Sequence, residues 1–226
     1  MLEPMMLLAI DTCGPSGSVA LGRLTGGGVE ILGQIELEGR SYSATLVAAV
    51  GELLAGNGIE LRNLAGIVAV NGPGSFTGVR VGLSAVKGLA EAARIPVVAV
   101  SRLEVLAAKA GEHSAAFDAH RHEVFLQLGR PGLEATEMLA GAHELAAIHP
   151  PVARIAVCDD AAALLASAWP GAELVRTPPP TAADALALCA PRAAAGEFVD
   201  VALLDGHYLR RSDAEIFGEP LAPRRL

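Results

Sequence analysis

The stretch from residue 65 to residue 100 constrains the fold most, because it predicts a strand, a glycine-rich turn, a long helix and a second strand in succession. The apolar run AGIVAV predicts the first strand and PVVAV predicts the second. Between them, NGPGS is typical of a turn, and the pattern from Phe76 to Arg94 is that of a helix. This alternation of strands and helices favours an α/β fold.

The rest of the chain predicts two similar halves. Three strands that can form a meander come first, followed by a helix over 43–55, the unit just described and a short helix, RLEVLAAKA. A second set of strands and helices follows, and Pro191 is expected to kink or end its last helix. We therefore predict two duplicated βββαβα-type halves, residues 1–106 and residues 107–226, the second with a surface tail.

Charge and cysteine usage narrow the class of protein. The 226-residue chain is 52% hydrophobic and carries a formal net charge of −8, which argues against an autonomous nucleic-acid binder. Its three cysteines are far apart and form no CxxC pair, as expected of reduced thiols in the cytosol. No segment has the pattern of a signal peptide or the roughly 18 apolar residues of a membrane span. We predict a cytoplasmic protein that makes no membrane contact.

The glycine-rich turn matches neither common phosphate-loop template. Gly72, Gly74 and Gly78 lack the following Lys of a Walker loop, and the third glycine comes one residue too late for GxGxxG. Ser75 or Thr77 is expected to cap the helix instead. The small residues spaced three or four apart along this helix favour close approach of another backbone, which we expect to belong to a second subunit.

The helices over 43–55 and 76–94 carry more apolar surface than one sheet can cover. Glu52 is the only charge of the first helix, and the four charges of the second fall within roughly 60° of one another. The two helices can cover part of this surface for each other. The remainder is left either to a protein partner or to neighbouring elements of the same chain.

Four segments, LLAIDTCGPSGSVAL at 7–21, VNGPGSFTGVRVG from residue 70, FDAHRHEVF at 117–125 and HYLRRSDAEI at 207–216, resemble the bacterial TsaB (YeaZ) family. The resemblance covers most of the chain. It implies an actin/Hsp70/sugar-kinase-like (ASKHA) fold. It also implies a non-catalytic subunit of the complex that transfers threonylcarbamoyl from threonylcarbamoyl-AMP to N6 of adenosine 37 in ANN-decoding tRNAs. Tyr42-Ser43 departs from the family, which often has His-Ser there.

The same resemblance implies the partners of the chain. They are a homologous catalytic subunit of the TsaD type and an ATPase of the TsaE type, with homodimers as a further assembly and tRNA contacted only through the complex. ATP, Mg²⁺ and a metal would belong to the other subunits, and this chain would hold no cofactor. The two apolar helices would form the interface. Its predicted residues are Leu46, Val50, Leu53, Ser75, Phe76, Thr77, Val79, Arg80, Leu83, Val86 and Lys87.

A nucleotide-binding alternative rests on the hairpin after the first strand, where members of this fold that bind nucleotides embrace phosphate. Its candidate residues here are Asp11, Thr12, Ser16, Gly17 and Ser18. The chain would then be an autonomous phosphotransferase or ATPase, and a homodimeric binding module is another alternative. No two histidines stand four apart, so the HxxxH metal motif of the catalytic relative is missing, and no GxSxG or HExxH supports a protease.

Two further features carry less specific expectations. Asp118, His120 and His122 alternate on a predicted strand, where a polar sheet face is favoured over a metal site. Arginines near the C-terminus, at positions 210, 211, 224 and 225, form a basic edge that could touch tRNA. No metal site is predicted.

Overall fold

The structure, a computed structural model, describes residues 5–26, 28–38, 41–148 and 154–210. Its strands are β1 (Met5–Asp11), β2 (Ser16–Thr25), β3 (Gly28–Glu38), β4 (Gly66–Val70), β5 (Val97–Val100), β6 (Ala115–His120), β7 (Glu123–Arg130), β8 (Leu133–Gly141), β9 (Arg154–Val157) and β10 (Glu173–Arg176). Its helices are α1 (Tyr42–Gly56), α2 (Phe76–Ala93), α3 (Arg102–Ala110), α4 (Ala142–Ala147), α5 (Ala161–Ala168) and α6 (Ala182–Ala194), with a 3-10 turn at Leu61–Asn63.

Two five-stranded sheets share one topology. The first has the order β3-β2-β1-β4-β5 and the second the order β10-β9-β6-β7-β8. In each sheet the first three strands of the half form an antiparallel meander, and the last two run parallel to the first strand. This repetition confirms the predicted duplicated α/β architecture. The short helix α4, which closes the second meander, was not predicted.

The helix that closes each half packs on the sheet of the other half. Helix α6 lies on the first sheet, and its apolar side chains belong to that sheet's core, whereas α3 packs on β6, β7 and β9 of the second sheet. Helices α1 and α6 cover opposite faces of the first sheet. The Tyr42 ring stands over Gly17, while the backbone N–H of Ala182 donates to the hydroxyl of Ser18, and adjacent strand residues face opposite sides.

This exchange bears on the division of the chain. Helix α3 runs across the predicted boundary between residues 106 and 107, and α6, from the second part of the sequence, is built into the first core. The two sheets define two halves, but α3 and α6 each join one half to the other. The division between residues 106 and 107 therefore remains a prediction.

Helix α6 also corrects an expectation about Pro191. Thr181 and Asp184 form a reciprocal cap at its start, and the helix continues beyond Pro191 to Ala194. The backbone N–H of Ala195 still donates to the carbonyl of Pro191 at 3.0 Å. The proline therefore sits in the last turn and does not end the helix, while the kink that was the other expectation stays a prediction.

Among the described residues, no helix has both the length and the apolar character to cross a membrane. The predicted basic edge falls largely outside the description, since Arg211, Arg224 and Arg225 lie beyond residue 210.

Candidate functional site

The glycines of the GPGSFTG turn allow α2 to approach the segment after β1. A Cβ atom on Gly74, Gly78 or Gly82 would collide with the backbone or side chain of Thr12 and Cys13. The hydroxyl of Thr12 donates to the carbonyl of Gly78 at 2.7 Å, and the hydroxyl of Ser75 caps the helix by accepting from the N–H of Gly78. The close backbone approach that the sequence predicted is therefore internal to the chain, and the expectation that these glycines face another subunit was wrong.

Asp11, at the end of β1, is buried and already engaged. Its Oδ1 accepts from the backbone N–H of Cys13 at 2.8 Å, and its Oδ2 lies 3.6 Å from Nε of Arg102. The Arg102 guanidinium, which begins α3, also stacks 4.4 Å above the ring of Phe117. Burial, together with the nearby Asp11 carboxylate, raises the pKa of the Cys13 thiol well above its ordinary value. This arrangement joins the first hairpin to the second half by a buried ion pair.

The other residues of the predicted phosphate hairpin differ in exposure. Thr12 and Ser18 are buried, and their hydroxyls bond to backbone groups of α2 and α6. Gly17 lies under the ring of Tyr42, whose hydroxyl donates to the carbonyl of Gly14 at 2.9 Å. Burial raises the pKa of Tyr42 to about 12. Only Ser16 of the five predicted residues is exposed, so four of them are held in structural contacts.

A cleft of about 1370 Å³ separates the two halves at this hairpin. The hairpin and the GPGSF turn line one wall, and the β6–β7 turn and Asp159 line the other. Asp159 accepts backbone N–H bonds from Asp118 and Ala161, and burial raises the pKa of its carboxyl group. The hairpin predicted for phosphate thus faces a cavity large enough for a small molecule.

The β6–β7 turn corrects the expected strand alternation of the histidines. His120, Arg121 and His122 all adopt left-handed backbone conformations, with φ of 60°, 55° and 61°, so they form a turn rather than one sheet face. The ring Nδ1 of His120 lies 3.0 Å from Oδ2 of Asp118. Within the described parts of the chain, no group of three or more His, Cys, Asp or Glu side chains is arranged to hold a metal ion.

Residues 205–210 form a segment, the C-terminal strap, that touches both halves. The backbone N–H of His207 donates to the carbonyl of Asn71 in the first half, while its ring Nε2 lies 2.8 Å from Oε2 of Glu137 in the second. The Glu137 hydrogen bond raises the pKa of His207. Arg210 forms an ion pair with Glu123, and several strap residues line the cleft.

The structure divides the predicted interface residues into two groups. Six of them are buried in the core of the chain itself, so they present no surface to a partner: Leu46, Val50, Leu53, Val79, Leu83 and Val86. The others are exposed or half-buried at the start and along the outer side of α2: Ser75, Phe76, Thr77, Arg80 and Lys87. The predicted residues therefore lie on both sides of the helices, because a helix that is apolar all round gives no sign of which side faces its sheet. The interface itself stays a prediction.

The outer faces of α1 and α2 consist mainly of small and apolar residues, most of which were not among the predicted interface residues. On α1 the exposed residues are Ser43, Ala44, Val47, Ala48, Gly51, Glu52 and Ala55, and on α2 Ser84, Gly88, Glu91 and Ala92 accompany Phe76, Thr77 and Arg80. Val47 is 61% exposed. A Cβ atom on Gly51 or Gly88 would meet nothing within 4 Å. Because α1 and α2 pack against each other, these two faces form one surface, the outer helical face.

Comparisons with known proteins agree with this architecture. A family model, TsaD: tRNA N6-adenosine threonylcarbamoyltransferase, matches residues 32–143. The tRNA threonylcarbamoyladenosine biosynthesis protein TsaB of Haemophilus influenzae is 37% identical over 130 residues, which are 55% of this chain and 53% of that protein. The crystal structure of a Pseudomonas aeruginosa protein with similarity to peptidase YEAZ has a TM-score of 0.76 at 29% identity, covering 91% of this chain and 100% of that one. In sequence and in structure the chain is most similar to proteins of the TsaB (YeaZ) family among these comparisons.

The chain has the predicted ASKHA-type fold. Component A of (R)-2-hydroxyglutaryl-CoA dehydratase from Acidaminococcus fermentans shares that fold with a TM-score of 0.50 at 12% identity, over 84% of this chain and 99% of that one. The chain spans about half the length of the curated TsaB relatives it matches, between 53% and 55%.

One departure from the TsaB family has a structural role here. Tyr42 stands where the family often has His, and it is buried against Gly14 and Gly17 of the β1–β2 hairpin. The larger ring fills the space above Gly17, where a Cβ atom would collide with it. In this chain the hairpin and the first turn of α1 are therefore packed as one unit.

Proposed function

We propose that this chain is a non-catalytic subunit in the formation of threonylcarbamoyladenosine at position 37 of ANN-decoding tRNAs. Similarity to the TsaB family supports this role, because the curated relatives are named as tRNA threonylcarbamoyladenosine biosynthesis proteins. In this proposal the chain docks a homologous catalytic subunit of the TsaD type, an ATPase of the TsaE type joins the pair with ATP and Mg²⁺, and tRNA is contacted through the assembly.

The outer helical face is the observation that carries the proposal. It exposes Val47 and a series of alanines, and Gly51 and Gly88 lie open on it. Glycine in a helix interior destabilises it by about 1 kcal/mol relative to alanine. Two outward glycines with no neighbour are accounted for if another helix approaches closely at these positions, since a missing Cβ atom lets two backbones come near.

The homologous catalytic subunit is a suitable occupant of this face. The TsaD-type family model matches residues 32–143, which include both helices. A relative with the same pair of helices could oppose them in a pseudo-symmetric helix packing, in which small residues of one subunit meet small residues of the other.

The state of the β1–β2 hairpin supports the non-catalytic part of the proposal. Oδ1 of Asp11 accepts the N–H of Cys13, Oδ2 is ion-paired with Arg102 at 3.6 Å, and the hydroxyls of Thr12 and Ser18 are hydrogen-bonded to helices of the chain. A phosphate or a magnesium ion at this hairpin would have to displace these contacts. In this proposal the chain therefore acts by binding a partner through its outer helical face.

Binding of the purified TsaD-type subunit from the same organism tests the interface. Val47→Asp places a charge on the outer helical face, and we expect the dissociation constant to rise at least about tenfold, as for a central interface residue. Leu133→Asp, at a residue that is 67% exposed on β8 of the other half, is the matched control and should bind normally. Equal binding by both variants and the unaltered protein would contradict the interface.

A reconstituted reaction tests the role itself. Purified chain, TsaD-type subunit and TsaE-type subunit should form threonylcarbamoyladenosine in tRNA when given ATP, Mg²⁺ and threonylcarbamoyl-AMP, and mass spectrometry of tRNA nucleosides measures the product. Omission of this chain should lower the yield strongly. The role is rejected if the product forms equally well without it, or if this chain alone forms it.

The cleft supports a second candidate, which is nucleotide binding by this chain alone. The observation in its favour is the cavity of about 1370 Å³ bounded by the β1–β2 hairpin and Asp159. Calorimetric titration with ATP and Mg²⁺ measures it directly. Micromolar binding that Asp159→Asn weakens would favour this function, whereas no heat of binding at millimolar ATP would reject it.

A further inference from the structure

An exposed cluster of one arginine and two aromatic rings stands where α2 meets the C-terminal strap. The Cζ atom of Arg80 lies 3.8 Å from the ring centroid of Phe76 and 6.0 Å from that of Tyr208. The two ring centroids are 5.3 Å apart, with an interplanar angle of 46°. Nε of Arg80 donates to the Tyr208 hydroxyl at 3.3 Å. Side chains from two separate elements therefore hold one guanidinium.

This arrangement fixes the guanidinium and leaves its end free to bind. Among the described residues, Arg80 contacts the Phe76 and Tyr208 rings and donates from Nε to the Tyr208 hydroxyl, which leaves its two terminal nitrogens without a hydrogen-bond partner there. Arginine presents these nitrogens as a planar fork that matches the two oxygens of a carboxylate. Because the fork is already oriented, little conformational entropy is lost when an anion binds.

Arg80 differs from other arginines of the chain in its lack of an acidic neighbour. Arg102, Arg154 and Arg210 each pair with a carboxylate. Among residues 5–26, 28–38, 41–148 and 154–210, no carboxylate oxygen lies within 4.0 Å of the Arg80 side chain. A positive charge that is held by rings rather than by an acid is suited to an anion from outside the chain.

The position of the cluster indicates the source of that anion. Arg80 precedes Ser84 and Gly88 by one and two helical turns, so it lies at the N-terminal end of the outer helical face. Phe76 is 47% exposed and Tyr208 is 38% exposed, and aromatic and arginine side chains dominate the centres of protein interfaces. The formal net charge of −8 disfavours a nucleic-acid phosphate as the ligand.

We propose that the terminal nitrogens of Arg80 bind a carboxylate side chain of the protein subunit that docks on the outer helical face. This inference rests on the proposed function, because it names a contact within the same interface. The rings of Phe76 and Tyr208 become covered on docking, and the exclusion of water strengthens the ion pair. The contact also makes the C-terminal strap part of the partner surface through Tyr208.

Binding of the TsaD-type subunit to Arg80 variants tests the inference by calorimetry at two salt concentrations. Arg80→Gln should raise the dissociation constant at least about tenfold and reduce its salt dependence, because a charged pair is lost. Arg80→Lys should restore part of the affinity only, since it keeps the charge but not the fork. Arg94→Gln, at an exposed arginine that ends the same helix, is the matched control and should bind as the unaltered protein does.

A reversed charge pair identifies the carboxylate. Arg80→Glu should weaken binding further than Arg80→Gln, and one Asp→Arg or Glu→Arg change on the docking face of the partner should restore it. The Arg80 variants should lower the melting temperature only slightly, because the lost contacts are exposed, and thermal unfolding thereby separates lost binding from lost folding.

The outcomes that overturn the inference are distinct from failure of the proposed function. If the unaltered protein does not bind the partner, the proposed function and the inference both fall. If it binds and Arg80→Gln binds equally well, only the inference falls. Full recovery by Arg80→Lys would also overturn it, because a point charge would then suffice. So would an Arg80→Gln effect on tRNA binding by the complex without any effect on subunit affinity.

Discussion

Asp11, at the end of β1, and Arg102, at the start of the helix that packs on the second sheet, form a buried ion pair, with Oδ2 of Asp11 3.6 Å from Nε of Arg102. Their side chains are 3% and 7% exposed, so water screens the pair little. Arg102 also stacks on Phe117 of the second sheet. The pair therefore ties the end of β1 to the start of α3 and to β6.

Asp11→Ala should lower the free energy of unfolding by about 3–5 kcal/mol, because it leaves the Arg102 charge buried without a partner. Urea denaturation measures the change. Glu30→Ala removes one partner of the exposed Arg23–Glu30 pair and is the control, with an expected loss below about 1 kcal/mol. Similar losses in both variants would show that the Asp11–Arg102 pair does not hold the halves together.

Two glycines of α2 should respond to alanine in opposite directions. Gly78→Ala should destabilise the protein by about 1–3 kcal/mol, because the new Cβ atom collides with the carbonyl of Thr12. Gly88→Ala should stabilise the isolated chain by about 0.5–1 kcal/mol, since that position is open and alanine favours a helix. Urea denaturation of both variants tests this, and the same sign for both would contradict the assignment of inner and outer faces.

Gly88→Ala also separates folding from assembly. If a partner helix approaches at this position, the same methyl group that stabilises the chain should weaken binding of the TsaD-type subunit. A variant that gains stability and keeps full affinity would show that the contact between subunits is not close at Gly88.

The His207–Glu137 contact should make stability depend on pH. The hydrogen bond to Glu137 raises the pKa of His207 in the folded state. The contact therefore stabilises the protein fully below the ordinary histidine pKa of about 6.5. This stabilisation is lost as the pH rises through the folded-state pKa. The difference in unfolding free energy between the unaltered protein and His207→Gln should therefore be larger at pH 6 than at pH 9.

The histidine ring can be followed directly. An NMR titration should give His207 a midpoint above the ordinary value, and Glu137→Gln should move the midpoint down. A midpoint that does not respond to Glu137→Gln would rule out this contact as the cause.

Two of the cysteine thiols should be unreactive in the folded protein. Burial raises the pKa of Cys189 to about 12 and that of Cys13 well above its ordinary value, so the thiolate that reacts is scarce at pH 8. A colorimetric thiol reagent should label both slowly in native protein and rapidly in guanidinium chloride. Rapid native labelling of Cys13 would mean that the β1–β2 hairpin opens readily.

The order of elements could be predicted from the sequence, but the facing of the helices could not. Periodicity and turn residues located the strands, and α3 was predicted at its observed bounds. The pattern of α1 is apolar on every side, so its phase relative to the sheet was undetermined, and the sequence did not show that Leu46 is buried and Val47 exposed. Glycines look alike in sequence, whereas Gly78 faces Thr12 and Gly88 faces open space.

Contacts between residues far apart in the sequence also could not be predicted from local sequence patterns. Nothing near Tyr208 in sequence indicates that it packs on Phe76, 132 positions earlier. The left-handed turn at His120 was hidden because histidines and arginines are not typical turn residues. Such features depend on which segments tertiary packing brings together.

The exchange of α3 and α6 between the two sheets has a consequence for the ancestry of such chains. In a single half produced alone, the closing helix would have no sheet to pack on, and one face of its sheet would be exposed. The closing helix of a second copy could cover that face. Two copies would satisfy each other, as in a dimer that swaps its last helix. Gene duplication followed by fusion would then preserve contacts that already existed, so the joined protein needs no new core.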